Sequence, residues 1–222
     1  ELNMNIKLFL ITTLIFLNSC SSISSGNIAP GYAEAFKAIK NIITGQEGID
    51  ISPELIESIP YASLSLKIGK GPKGLLILES VRNDEETWVS ADGLILITKN
   101  GRIIKTAGLD HNLSNFISPS INSYQQQSGE ERVYKYYYSY DVPFLINLEV
   151  EVNIVDKGFE VIELHNGERR LRLIMEIISN KKIGWKAVNK YWVDEDNFIW
   201  KSKQKISPKL PEFSLEVTKK PS

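Results

Sequence analysis

The residues best placed to do covalent chemistry stand near the start of the chain. Met4-Asn5-Ile6-Lys7 puts one cation ahead of an almost wholly apolar run, Leu8 to Leu17, and Leu17-Asn18-Ser19-Cys20 follows. Ten residues, eight of them apolar, are too few to cross a hydrocarbon core of roughly 30 Å, which needs about 20. The segment therefore reads as a cleavable export signal. Cys20 is the only cysteine, with small Ser19 before it and Leu17 three positions upstream. That spacing is the processing signal of bacterial lipoproteins, in which cleavage falls between Ser19 and Cys20. The thiol takes a diacylglycerol, and the freed amine is acylated next. Two or more acyl chains hold effectively permanently, where one holds reversibly. Ser21, in place of the Asp that retains many lipoproteins at the inner membrane, points to the periplasmic face of the outer membrane.

Other constellations are weaker. Gly69-Lys70-Gly71-Pro72-Lys73-Gly74 has glycines at dinucleotide-fingerprint spacing. That chemistry needs a helix N-terminus after the glycines. Here Leu75-Leu76-Ile77-Leu78 reads as a strand, so the expectation is a hairpin turn. His111 and His165 have no carboxylate or cysteine at ligand spacing, and a metal site needs three or four ligands. Asp194-Glu195-Asp196-Asn197 lacks the central Gly and terminal Glu of a calcium loop and is expected to be a polar turn. No serine sits in a Gly-x-Ser-x-Gly context. No catalytic, cofactor-binding or metal-ligating residue is assigned. Tyr134, Tyr136, Tyr138 and Tyr140 alternate along one strand, with Trp88, Trp185, Trp192 and Trp200 as further rings. Such a row either packs across strands or forms a platform for a sugar or acyl chain. Packing is the expectation, with Trp88 and Trp192 in the core.

The elements that must position these residues are mostly strands. Tyr32, Phe36, Ile39 and Ile43 share one face of a helix stopped by Gly45. Ser52-Pro53-Glu54-Leu55 opens a second, short helix with Ser52 as cap. Beyond Tyr61 the period falls to two. Ile146, Leu148, Val150, Val152 and Ile154 alternate with polar residues, and Leu171, Leu173, Met175 and Ile177 stand opposite Arg170, Arg172 and Glu176. Asn100-Gly101, Lys157-Gly158 and Asn166-Gly167 read as tight hairpin turns. Leu75 to Leu78 and Leu94 to Ile97, apolar on both faces, suit central strands. Ser118 to Gly129 is a polar loop, and a last strand lies near Phe213 to Thr218. The expectation is a mainly β fold: a large antiparallel meander curled into a barrel, half-barrel or sandwich, with one or two short N-terminal helices. Residues 1–19 are the signal, with Glu1–Asn3 ahead of the expected start, 20–31 a lipidated flexible tether, and 32–222 a single domain. Outer-membrane spanning strands are not expected, for want of aromatic girdles.

Charge is balanced, 26 Lys and Arg against 27 Asp and Glu, with the signs interspersed. No basic face for nucleic acid is evident, and no electrostatic case for a second membrane contact beyond the lipid anchor on Cys20. With Cys20 acylated no disulfide can form, so stability rests on a hydrophobic core.

Several segments together resemble the GfcB/YjbF family of lipoproteins linked to capsule and exopolysaccharide production. They are Ile59-Pro60-Tyr61-Ala62-Ser63 before the Gly-Pro turn, Trp88-Val89-Ser90-Ala91-Asp92-Gly93, the run Leu96 to Leu109 through Asn100-Gly101-Arg102, Asn189-Lys190-Tyr191-Trp192-Val193-Asp194, and Ile199 to Gln204. The resemblance runs from about Ile51 to the end and is thinnest between Ser118 and Ser179. It implies an outer-membrane lipoprotein with an antiparallel β fold, no catalytic residues and no cofactor. The expected role is accessory: a non-enzymatic factor in capsule or exopolysaccharide secretion or assembly, touching polysaccharide-export or envelope proteins, or the glycan itself. Arg102 and Thr106 are expected on the solvent face of a hairpin. Two alternatives are a lipid- or oligosaccharide-binding carrier or sensor with an apolar cavity, and a glycan-modifying enzyme with two converging acids.

Overall fold

The computed structural model describes residues 51–118 and 133–221. Ser19, Cys20, the tether 20–31, the helix expected over Tyr32–Ile43 and nearly all of the loop 118–129 lie outside them. The described residues belong to one compact unit.

That unit opens with a one-and-a-half-turn helix, α1 (Pro53–Ser58). Ser52 caps it, its Oγ accepting from Leu55 N at 3.3 Å, and Pro53 takes the first turn, where no N–H is needed. Twelve strands follow: β1 (Ser63–Ile68), β2 (Lys73–Arg82), β3 (Glu85–Ser90), β4 (Ile95–Lys99), β5 (Arg102–Ala107), β6 (Leu113–Ile117), β7 (Val133–Tyr140), β8 (Leu145–Leu164), β9 (Gly167–Asn180), β10 (Trp185–Val193), β11 (Ile199–Gln204) and β12 (Phe213–Lys219). They form one antiparallel sheet in the order β5-β4-β3-β2-β1-β12-β11-β10-β9-β8-β7-β6. Every neighbour is a neighbour in sequence except β1 and β12, which join the first strand to the last. The two edges of the sheet, β5 and β6, are thus consecutive in the chain, and the sheet curls into a nearly closed barrel.

Register shifts help it to curl. Single irregularities occur at Leu78/Ser80, Ile97/Thr98, Tyr138/Tyr140 and Trp192/Val193, and a wider one at Asp156/Phe159. Each adds local twist and bend. The last of these corrects the expectation at Lys157-Gly158. No turn forms there: β8 runs unbroken for 20 residues, and Gly158, at φ +78°, sits in the bulge with its N–H donating to Asp156 Oδ1 at 2.8 Å. The other expected turns form, at Gly69–Pro72, Asn100-Gly101, His165-Asn166 and Asp194–Phe198.

The main core fills the barrel with Leu64, Leu66, Leu76, Trp88, Leu96, Ile104 and Leu113 from one half. Phe116, Tyr136, Tyr138, Val150, Val152, Ile178, Trp185 and Phe213 come from the other. The tyrosine row packs inward as expected: Tyr138 stacks on Tyr140 at 6.4 Å and meets Trp185 edge-on at 5.6 Å. Leu75 and Ile77 face outward and are covered by Ile51 and Ile59, with Leu55 and Ile56 of α1 beside them. That cover, and not a central place in the sheet, explains why β2 is apolar on both faces. Trp192 is buried in an outer cluster with Leu164, Leu171 and Trp200, not in the main core. The strands β7 and β8 expose Lys135, Glu149 and Glu151, and also Val133, Phe159 and Val161.

Candidate functional site

Arg102 opens β5 directly after the Asn100-Gly101 turn, and the structure reverses the expectation for it. The side chain is 2% exposed and points inward, and Thr106 is also buried. The reason is a partner 74 residues away. Arg102 Nη1 donates to Glu176 Oε2 at 2.7 Å and Nη2 donates to Oε1, a two-pronged pair with Glu176 wholly buried. Tyr136 Oη and Tyr191 Oη donate to the same carboxylate at 3.1 and 3.2 Å. The guanidinium carbon lies 5.1–5.2 Å from the ring centres of Phe116, Tyr136 and Tyr191. Glu176 was expected on the wet face of β9. Its true face is the inner one, with Ile174 and Ile178, while Ile177 is 44% exposed. Burial is tolerated because four donors meet two carboxylate oxygens and three rings cover the cation.

Around this pair the interior is cross-linked by polar side chains. Gln204 of β11 reaches edge strand β5, accepting from Ile103 N at 3.0 Å and donating to Gly101 O at 2.8 Å. Asn189 accepts from Lys205 N at 2.7 Å. Tyr140 Oη donates to Ile206 O at 2.8 Å, and burial pushes its acidity, and that of Tyr138, well beyond reach of neutral pH. Every one of these groups serves another part of the same domain, so the arrangement holds the barrel shut and leaves none of them facing a substrate.

One accessible candidate lies at the end of the barrel where the β2–β3, β4–β5 and β10–β11 turns gather. A cavity of about 120 Å³ opens there between Glu86, Trp88, Thr98, Phe198 and Trp200, floored by Leu64 and Leu215. Trp88 Nε1 donates to Thr98 Oγ1 at 2.9 Å, and Thr98 Oγ1 donates to Glu86 Oε2 at 2.8 Å. Desolvation raises the pKa of Glu86 above the ordinary 4.5, opposed by the hydrogen bond from Thr98. One carboxylate beside an aromatic wall can accept hydroxyl hydrogens and stack an apolar ring face. Hydrolysis needs a second acid, and none lines the cavity. Its volume also falls short of the roughly 300–1,000 Å³ of small-molecule sites. It can hold the edge of a ligand or a side chain from a partner.

The remaining sequence candidates stay apart. His111 Nδ1 lies 2.8 Å from Val142 O, and His165 pairs with Glu216 at 3.1 Å. No group of three metal-ligating side chains occurs among the described residues. The Asp194 turn is held by its own backbone, Phe198 N and Asp196 N donating to Asp194 Oδ1. Among the described residues no helix is long and apolar enough to cross a membrane. Neither half of the Arg102–Glu176 pair announced a partner in the sequence. The signal was Glu176 standing between Ile174 and Ile178 on the less apolar face of the strand.

Comparison with known proteins places this architecture. Residues 36–218 match the family described as group 4 capsule polysaccharide lipoprotein gfcB, YjbF. The lipoprotein YjbF of Escherichia coli K12 is 24% identical over 201 residues, 88% of this chain and 89% of that one. The lipoprotein GfcB of the same organism is 30% identical over 67 residues, about 30% of either chain. The crystal structure of the hypothetical lipoprotein YmcC from Escherichia coli K12 superposes with a TM-score of 0.67 at 18% identity, covering 85% of this chain and 96% of that one. The chain belongs to the GfcB/YjbF family of capsule polysaccharide lipoproteins.

Proposed function

We propose that the chain is an outer-membrane lipoprotein, acylated on Cys20, whose barrel serves capsule or exopolysaccharide export as a non-catalytic contact domain in the periplasm. The observation that carries this is the family match across residues 36–218, which spans the whole barrel and not one motif within it. The Leu17-Asn18-Ser19-Cys20 signal supplies the anchor, and Ser21 the address. The chemistry of the fold agrees with a role by contact. The buried Arg102–Glu176 pair is consumed in holding β5 to β9, and the cavity beside Trp88 has a single carboxylate. A carrier would need an interior able to enclose a chain or sugar. Here that space is taken by Tyr136, Tyr138, Trp185, Arg102 and their neighbours.

Three experiments test the two halves of this reading. The Cys20→Ala variant is expected to stay unprocessed and to leave the outer-membrane fraction. Identical processing and fractionation would remove the anchor. Deleting the gene under conditions that induce polysaccharide is expected to lower the surface-bound polymer. Crosslinking in the native envelope is then expected to recover export or envelope proteins. Unchanged surface polymer in the deletion strain would remove the role.

A further inference from the structure

Charges that are interspersed along the sequence are partly sorted by the fold, the lysines outnumbering the acids at one end of the barrel. In an antiparallel meander successive turns alternate between the two ends of the barrel. One end holds the start of β1, the end of β12 and the β2–β3, β8–β9 and β10–β11 turns, and exposes Asp84, Glu163, Glu168, Glu195 and Asp196. The other end exposes Lys70 and Lys73 at the β1–β2 turn, Lys181 and Lys182 at the β9–β10 turn, and Lys209 before β12. Asp92 and Asp110 are also exposed at this end, and Asp141 there is turned back on Asn112, whose side-chain and backbone N–H groups hold its pKa down.

The lysine end also carries large exposed apolar side chains. Phe144 is 79% exposed, Ile146 60% and Val142 52%, all in or beside the β7–β8 turn, and Ile183 in the next turn is 51% exposed. These two turns touch. Ile146 and Leu148 line one groove with Glu149, Glu151, Lys181 and Lys182; Glu149 is paired with Lys135 at 2.9 Å, and Asn180 Nδ2 donates to Glu149 O at 2.7 Å. Bulky apolar tips ringed by lysines are the surface that an anionic bilayer interface accepts: the tips enter the headgroup layer and the ammonium groups meet lipid phosphates. A soluble acidic polymer would satisfy the lysines and leave Phe144 and Ile146 in water. We propose that this end of the barrel docks on an anionic phospholipid surface through Phe144, Ile146 and Ile183, with Lys181 and Lys182 as the charged collar. The inference goes beyond the lipid anchor, and the chain enters β1 at the other end of the barrel. The stretch from Cys20 to Ile51 can span no more than about 100 Å, enough for the anchored barrel to present either end.

Hydroxyl-radical footprinting of the full chain in reconstituted vesicles reads the tip and not the anchor. Oxidation of Phe144 and Ile146 is expected to fall several-fold when phosphatidylglycerol is added to phosphatidylcholine vesicles. Val81, 55% exposed at the acidic end, is expected to be unchanged. The Lys181→Glu/Lys182→Glu double variant is expected to lose that protection, and Phe144→Ser to lose it at Ile146. Both changes fall on exposed side chains, so circular dichroism is expected to match the wild type. Equal oxidation on neutral and anionic vesicles overturns the proposal, as does protection that survives the lysine reversals. Protection produced equally by a soluble acidic polysaccharide overturns the choice of a lipid surface.

Discussion

A carboxylate sealed from water is stable only while its donors remain, and Glu176 has four of them. Arg102→Met removes the cation and leaves the charge behind, which costs about 3–5 kcal/mol. In urea unfolding the Arg102→Met/Glu176→Leu double variant is expected to recover much of that loss. It will not recover all, because Tyr136 and Tyr191 then lose their hydrogen bonds to the carboxylate, each worth about 0.5–1.5 kcal/mol net. A double variant no more stable than Arg102→Met alone would contradict this account of the pair. Glu86 behaves differently, since its cavity opens to solvent and only desolvation acts against its charge. Its folded pKa lies above the unfolded one. Its contribution is therefore fully present below about pH 4.5 and is lost as pH rises through the folded value. Glu86→Gln keeps an acceptor for Thr98 without the charge. Relative to wild type, its melting temperature is expected to rise from acid to neutral pH, and a flat difference would reassign the strain.

At the scale of elements, the turns carry the tightest requirement. Gly101 has φ +69°, and a Cβ there would stand 2.7 Å from Ile199 Cβ on β11. Gly101→Ala meets both the left-handed backbone and the packed strand. We expect a loss of about 1–3 kcal/mol, seen as a lower urea midpoint with an unchanged slope. Asn100-Gly101 was legible as a turn because its chemistry is local: φ +48° and +69° suit Asn and Gly. Lys157-Gly158 shows the limit of that inference. A bulge and a hairpin both use a glycine at positive φ beside an Asx acceptor, and the pairing of Leu145–Leu164 with β9 decides between them from outside the segment. The face of β9 was hidden for the same kind of reason. Leu171, Leu173, Met175 and Ile177 outnumber Ile174 and Ile178, yet the inner face is the one holding Glu176, whose partner lies two strands past Trp88. Strand existence followed from period and turn residues, whereas inward polarity depended on contacts across the barrel.

At the largest scale, the described residues form a ring of eleven ladders and one seam. Between β5 and β6 no ladder forms, and side chains do the closing. Leu113 N donates to Thr106 Oγ1 at 2.9 Å, Leu109 N donates to Asn112 Oδ1 at 3.0 Å, and Asn112 Nδ2 donates to Asp141 Oδ2 at 2.8 Å, which ties the seam to the β7–β8 corner. Gln204 supplies the acceptor for Ile103 N that a twelfth ladder would have given. A seam held by a few side-chain bonds opens at lower free energy than strands paired on both sides. Amides of β5 and β6 are therefore expected to exchange hydrogen faster than those of β9 and β10, which are paired on both edges. Thr106→Val keeps the shape and deletes the acceptor. It should cost about 1–3 kcal/mol for the buried Leu113 N–H left unpaired and speed exchange at the seam first. If β5, β6, β9 and β10 instead exchange at one common rate in wild type and variant alike, the barrel opens only by global unfolding, and the seam is as strong as the ladders that flank it.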